Sequence, residues 1–191
     1  MPYRPPVALY DACVLYPFHL RNLLIQCAVD RLVDARWTDE NHEEWIRNLA
    51  ANVPGVSIGR LHKTRDLMNS VLPDATVRDY QRHIPTITLP DQEDHHVVAA
   101  AIAARATYIV TWNIRDFPAE ELTGHGLRVQ DPDTFLLELY EAAPTVVIGA
   151  VANARRNLRK SATQAVDFLD ALRQQRLSRF VAVMTRHLAE L

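Results

Sequence analysis

Along this chain the spacing of apolar positions switches between short continuous runs and near-helical repeats, and the switches mark the elements. Val7-Ala8-Leu9-Tyr10 is a brief apolar run with strand character. Beyond Pro17, residues Leu20, Leu23, Leu24, Cys27, Ala28 and Leu32 recur at helical spacing and predict a helix over 17–34. Ala35-Arg36-Trp37 reads as a short edge strand. Thr38 is then the expected N-cap of a helix running to about 51, with Asp39 and Glu40 favouring its dipole. Ser57 caps the next helix, which carries Leu61, Leu67, Met68 and Val71 and stops at Pro73. Residues 74–90 are mixed: Ala75-Thr76-Val77 as a short strand, 79–83 as a helical turn, and an extended piece between Pro85 and Pro90. An alanine-rich helix over 92–105, a strand over 107–111, a Gly124-His125-Gly126 turn and a strand over 127–130 follow. A helix over 133–140 has Pro132 near its start.

Short apolar strands separated by helices argue for a parallel sheet in an α/β layer fold. From Pro144 the pattern is helical: three amphipathic stretches over 145–160, 163–172 and 177–188, with Val146-Val147-Ile148 as the one short run of strand character. The expected division is therefore a main domain over 1–143 and a helical extension over 144–191. The apolar positions of the extension, among them Val166, Leu169, Leu172, Phe180, Val181 and Leu188, are too many for a solvated tail. They are expected to pack on the core or to pair with a second copy in a homodimer.

Composition bounds the rest. A chain of 191 residues that is 48% hydrophobic can build one core of ordinary size. No run approaches the ~18 apolar residues of a membrane span, and the start, Met1-Pro2-Tyr3-Arg4-Pro5-Pro6, has no apolar signal-peptide region. A cytoplasmic location is expected. Cys13 and Cys27 form no metal-binding spacing and read as reduced, small and buried; Cys13 follows Asp11 closely, but a role near the site is not the one expected of it. Residues 144–191 hold seven Arg and one Lys against Asp167, Asp170 and Glu190, a net of +5 where the rest of the chain carries −7. A basic tail on an acidic body suits an anionic partner, or is a solvated helix face.

The candidate chemistry lies in the acids. Residues 89–118 join an acidic helix start, an apolar helix, a short strand and a loop ending in Asp116. Asp94 at the helix start and Asp116 after the strand would lie on one edge of a parallel sheet, where ligands of open α/β sheets bind. Asp11 closes the first strand and belongs to the same edge. Any one of these acids could be a helix cap or a solvated charge. Three at the same topological place repel one another, and a bound cation is the usual reason to tolerate that.

At these residues the chain resembles the PIN-domain ribonucleases, the family that includes the VapC-type toxins, in a branch with an added C-terminal helical segment. The match runs through Asp11-Ala12-Cys13-Val14-Leu15-Tyr16-Pro17, through Trp37-Thr38-Asp39-Glu40 with Glu44-Trp45-Ile46-Arg47-Asn48-Leu49, and through residues 89–118. The resemblance implies a three-layer α/β/α fold around a parallel sheet, and RNA phosphodiester hydrolysis by acids that hold Mg²⁺ or Mn²⁺. Carried over by position, Asp11, Glu44, Asp94 and Asp116 are the implied catalytic and metal-holding acids. Many family members carry an Asp two residues after the Thr that ends the strand. Asn113 stands there in this chain, so the fourth acid would come from Asp116. Thr111 and Asn113 are the expected supporting residues.

Mg²⁺ prefers oxygen ligands and keeps several waters, so two or three carboxylates suffice. Arg115 and the cluster Arg155, Arg156, Arg159 and Lys160 are candidates for RNA phosphate contact, and Trp112 for stacking or core packing. Adjacent His95 and His96 point apart on a helix, so one is expected to pack inward and one to face solvent rather than share a zinc ion. The function implied is a metal-dependent endoribonuclease acting as the toxin of a toxin–antitoxin pair, with an antitoxin protein as partner. The alternative is a PIN-like module that binds RNA or protein without cutting.

Overall fold

The computed structural model describes residues 3–159 and 161–191, so Lys160 of the basic cluster lies outside the described residues. In chain order the elements are β1 (Val7–Tyr10), α1 (Ala12–Leu15), α2 (Phe18–Val29), β2 (Asp34–Arg36), α3 (Asp39–Asn52), α4 (Ile58–Val71), α5 (His95–Ala103), β3 (Tyr108–Val110), α6 (Ala119–Thr123), β4 (Arg128–Gln130), α7 (Pro132–Ala142), α8 (Pro144–Arg156), α9 (Ala165–Gln174) and α10 (Ser178–Met184). They form two compact units. One holds the sheet and comprises Pro6–Tyr16 and Asp34–Asp131; the other is helical and comprises residues 3–5, Pro17–Val33 and Pro132–Leu191. By packing, then, the helical unit takes in α2 and α7 as well as the residues beyond 143.

In the sheet unit all four strands are parallel, in the order β2-β1-β3-β4. Chain order reverses between β1 and β3: the chain leaves β1 for β2 on one side and returns to β3 on the other. That is a topological switch point, and its carboxyl end is where an open α/β sheet forms a crevice. The register pairs Tyr10 with Val110, so the residues that follow, Asp11 and Thr111, leave the sheet side by side. Against this sheet packs α5, whose Val97, Val98, Ala99, Ala100 and Ala101 are buried with Leu9, Ile109, Phe117, Leu122 and Leu127. Small alanines let the helix approach the strands closely, and β-branched valines fill the remainder.

Helix starts follow the sequence signals. Thr38 accepts the Asn41 N–H at 3.0 Å while Asn41 Oδ1 accepts the Thr38 N–H at 2.9 Å, a reciprocal cap on α3. Ser57 caps α4 through the Arg60 N–H. The mixed stretch resolves into 3-10 turns at Pro73–Ala75 and Gln81–Thr86, the second with Pro85 inside it, and Thr76 pairs with Trp37 in a single parallel bridge. The sequence expects a strand at 75–77 and a helical turn at 79–83; the first is reduced to that one bridge, and the second forms two residues later as the 3-10 turn Gln81–Thr86.

In the helical unit α2 packs on α8 and α9, and α10 on α7 and α9. Two side chains tie the bundle together at helix starts. Gln175 Oε1 accepts the Leu20 N–H of α2 at 2.8 Å. Asp133 of α7 accepts the Arg179 and Phe180 N–H groups of α10 at 3.1 and 2.8 Å. Leu169, Leu172, Phe180 and Val181 are buried here, whereas Val166 and Leu188 are exposed. The Val146-Val147-Ile148 run is helical, within α8, because Pro144 at the first helical position starts a helix and Val147 and Ile148 fill its buried face. No helix among the described residues is long and apolar enough to cross a membrane.

Candidate active site

Asp11 stands at the switch point. Its backbone continues the ladder by donating to the Val110 carbonyl at 3.1 Å, and its side chain, 5% exposed, caps α1. Oδ1 accepts the Ala12 N–H at 2.6 Å, and Oδ2 accepts the hydroxyl of buried Thr111 at 2.7 Å. Thr111 Oγ1 in turn accepts the Asn113 N–H at 3.0 Å. The first acid and the loop after β3 are therefore held together at the carboxyl ends of adjacent strands.

Glu44 reaches this edge from α3, and the orientation of α3 is set by a buried aromatic network. His42 Nδ1 accepts the Trp45 indole N–H at 3.0 Å, which leaves Nε2 to carry the ring proton toward Asn69 Oδ1 at 3.2 Å. Trp37 donates to the same oxygen at 2.9 Å. With His42 and Trp45 pointing inward, Glu44 lies on the border of the buried side and is half-buried. Burial first, and then the charge of Asp11, push its carboxyl above the ordinary value, with Arg47 pulling the other way and Glu40 and Glu93 adding to the rise.

Asp94 occupies the N-cap position of α5 but makes no side-chain cap bond. The capping role available to it from sequence is thus not the one it takes; Asp91 caps the preceding 3-10 turn instead, through the Glu93 N–H at 2.9 Å. Burial raises the Asp94 carboxyl from 3.8 to about 7, and Asp11, Asp116, Asp91 and Glu44 all contribute through their charge. Asp116 ends the 3-10 turn Ile114–Asp116 and is half-buried, while Asn113 is exposed.

Asp94 thus feels the charge of the other three acids singled out from sequence, and Glu44 that of Asp11. Among the described residues no three His, Cys, Asp or Glu side chains stand close enough together to enclose an ion by themselves. The donor set still fits a hard divalent cation. It is all oxygen, it is crowded with like charge, and such ions keep waters that bridge wider spacings. Asp11, Glu44, Asp94 and Asp116 are the residues that would hold it.

Other candidates fall elsewhere. Arg115 is exposed beside the site. In the helical unit Arg155 is committed to structure, donating to the Leu191 and Thr163 carbonyls at 2.7 and 3.0 Å. Arg156 donates to Asn153 at 2.8 Å, and Arg159 is exposed. His95 and His96 are both half-buried, so the one-in, one-out expectation does not hold. His96 Nδ1 lies 3.6 Å from Glu40 Oε2, the oxygen that also accepts the Tyr80 hydroxyl at 2.9 Å. Sequence reasoning set aside Cys13, yet its Sγ is 3.2 Å from both Asp11 Oδ2 and Thr111 Oγ1. Burial and the Asp11 charge push that thiol up to about 12, so it stays protonated. Its spacing two residues after Asp11 was the available signal.

Residues 8–115 match the family model of the PIN domain. The chain belongs to the PIN-domain family. The three-layer α/β/α class with a parallel sheet and C-terminal helices follows, as the resemblance implied. The PIN match takes in Asp11, Glu44, Asp94, Thr111 and Asn113 and stops one residue before Asp116. Residues 132–186 match a second model, the VapC50 C-terminal domain, and this match begins where α7 begins. Over 65 residues the chain is 42% identical to a protein named Putative ribonuclease VapC50 from Mycobacterium tuberculosis. That stretch is 32% of this chain and 38% of the relative, so the similarity spans well under half of either protein. No solved structure matches the chain.

Proposed function

We propose that this PIN-domain protein is a metal-dependent endoribonuclease that hydrolyses RNA phosphodiester bonds, using Asp11, Glu44, Asp94 and Asp116, and that it is the toxin of a toxin–antitoxin pair. The observation that carries the reading is Asp94: a half-buried carboxyl at a helix start that caps nothing and is raised to about 7 by burial and four other acids. A fold pays such a cost where the acids have a cationic partner. Bound Mg²⁺ or Mn²⁺ would lower the pKa of a coordinated water and offset charge on the scissile phosphate. Asp11, fixed on three sides, would be the most rigid of the acids that hold the ion. Asp94 would release its proton as the ion binds. Glu44, with its raised pKa, is suited to accept a proton from the attacking water. Thr111 would hold Asp11 Oδ2 in place by hydrogen bonding, and exposed Arg115 would meet RNA phosphate.

The similarity to a protein named as a ribonuclease of the VapC group supports RNA as substrate and an antitoxin protein as partner. Exposed Ile58, Leu67 and Val71 on α4 are side chains that a protein partner, or a second copy of the chain, would cover. Residues 144–191 are proposed as the extension to a nuclease domain over 1–143, and the cytoplasm as the place of action. The rival, a non-cleaving binding module, draws on Asn113 standing where many relatives carry an acid.

The deciding experiment is cleavage of a mixed RNA pool by purified wild type, Asp11→Asn and Asp94→Asn, with Mn²⁺ and with chelator. The expected outcome is cleavage by wild type with metal alone and a loss of at least about a hundredfold in both variants. Binding of RNA by wild type without metal-dependent cleavage would favour the module, and equal cleavage by all three proteins would point to a contaminating nuclease.

A further inference from the structure

We propose that Cys13 is a positioning residue for Asp11, acting with Thr111 as a two-armed clamp that ties the acid to the loop carrying Asn113 and Asp116. The proposal rests on the reading of Asp11 as a metal-holding acid, and it adds a residue that the acidic pattern does not contain.

The arms are built alike. In one, the Asn113 N–H donates to Thr111 Oγ1 at 3.0 Å, and the Thr111 hydroxyl donates to Asp11 Oδ2 at 2.7 Å. In the other, the Trp112 N–H donates to Cys13 Sγ at 3.3 Å, and the Cys13 thiol lies 3.2 Å from Asp11 Oδ2. The thiol is also 3.2 Å from Thr111 Oγ1, so the arms are cross-linked. Two successive amides of the loop after β3 are thus relayed through two side chains onto one carboxylate oxygen. Cys13 sits in α1 and its partners follow β3, nearly a hundred residues away in sequence. The contact therefore fixes the end of β1 against the end of β3 beyond the last ladder bond.

The clamp also divides the labour of the carboxylate. The lone pairs of Oδ2 are engaged by both arms, whereas among the described residues Oδ1 accepts the Ala12 N–H alone and keeps a lone pair. Oδ1 is the oxygen left for a cation. A valine or alanine at position 13 would fill or vacate the same space, but it would release the Trp112 amide and let the carboxylate rotate. A serine would keep a donor and an acceptor on a shorter reach.

The test compares wild type with Cys13→Ala and Cys13→Ser, using two readouts. The first is hydrogen exchange of the Trp112 amide, measured by NMR on metal-free protein. The second is Mn²⁺ affinity by calorimetry. Cys13→Ala is expected to speed Trp112 exchange and to weaken Mn²⁺ binding about tenfold, as loss of a partner behind a metal ligand does. Cys13→Ser is expected to restore most of both. Unchanged exchange in Cys13→Ala would overturn the clamp. Faster exchange with unchanged Mn²⁺ affinity would overturn the positioning role, leaving Cys13 as packing. If wild type bound no Mn²⁺, the nuclease reading would fail, and the exchange measurement would still decide whether Cys13 holds the loop to Asp11.

Discussion

Asp133 in the helical unit and Asp94 in the sheet unit are both acids removed in part from water at the start of a helix, and they are used in opposite ways. Asp133 is 7% exposed, and its two oxygens meet two amide N–H groups of α10. Asp94 stands at the N-cap of α5 without a cap bond, among Asp11, Asp116, Asp91 and Glu44. Donors around a buried acid make it a joint between elements. Like charges around a half-buried acid leave it with repulsion that a cation would relieve. The difference in surroundings, not in residue type or position on a helix, separates architecture from chemistry here.

The largest effect expected from that comparison is on stability without metal. Asp133→Ala strands two amides, one of them on fully buried Phe180, and should cost about 1–3 kcal/mol in denaturant unfolding. Asp94→Asn removes a repelled charge and should leave metal-free stability at pH 8 unchanged or higher. The comparison would break if Asp94→Asn were the more destabilised of the two.

A second consequence concerns pH. The folded-state value of Asp94, about 7, is above its ordinary 3.8, so between those values the folded protein holds a proton that the unfolded chain has lost. Stability without metal should therefore fall as pH rises from about 4 to 7, then level off with respect to this group. Asp94→Asn should flatten that slope in thermal melts. Metal works against the same proton, so Mn²⁺ affinity should rise between pH 6 and 8.

The smallest effect lies at the helix ends. Three helices finish with paired bonds around a residue in the left-handed region, and in each case that residue is arginine: Arg31 at φ 59°, Arg105 at φ 51° and Arg176 at φ 70°. After α5, for example, the Ala106 N–H reaches the Ala101 carbonyl at 2.9 Å and the Arg105 N–H reaches Ile102 at 3.0 Å. Arg105→Gly should add roughly 0.5–1 kcal/mol by relieving the strain of a Cβ in that conformation. No gain at either Arg105 or Arg31 would mean that these side chains hold their turns by contacts of their own.

Those arginines also explain what the sequence could not reveal. Helix starts at Thr38 and Ser57 were legible because a short side chain that accepts its own N–H groups is written locally. The ends of α2, α5 and α9 were not, because arginine stands where the usual glycine signal would, and the turns are closed by backbone bonds that any residue can make. The acids were legible as a set because strand ends and helix starts of a parallel sheet share one edge. That Asp94 does not cap its helix could not be read, since a cap and an uncapped acid have the same sequence. Cys13 was set aside for a similar reason: its partner Thr111 is brought to it only by the pairing of β1 with β3. The expected phosphate-binding role of Arg155 ran into tertiary structure too, as its guanidinium is engaged by carbonyls at 163 and 191.

The most direct test of the central claim, that the acids at the β1–β3 switch point form a cation site, is calorimetric titration of Mn²⁺ into metal-free wild type and Asp94→Asn at pH 8. At that pH Asp94 is largely ionised, so proton competition is small. Saturable binding by wild type, weakened at least about tenfold in Asp94→Asn, is the expected result. Equal affinity in the two proteins, or no binding by folded wild type, would contradict it.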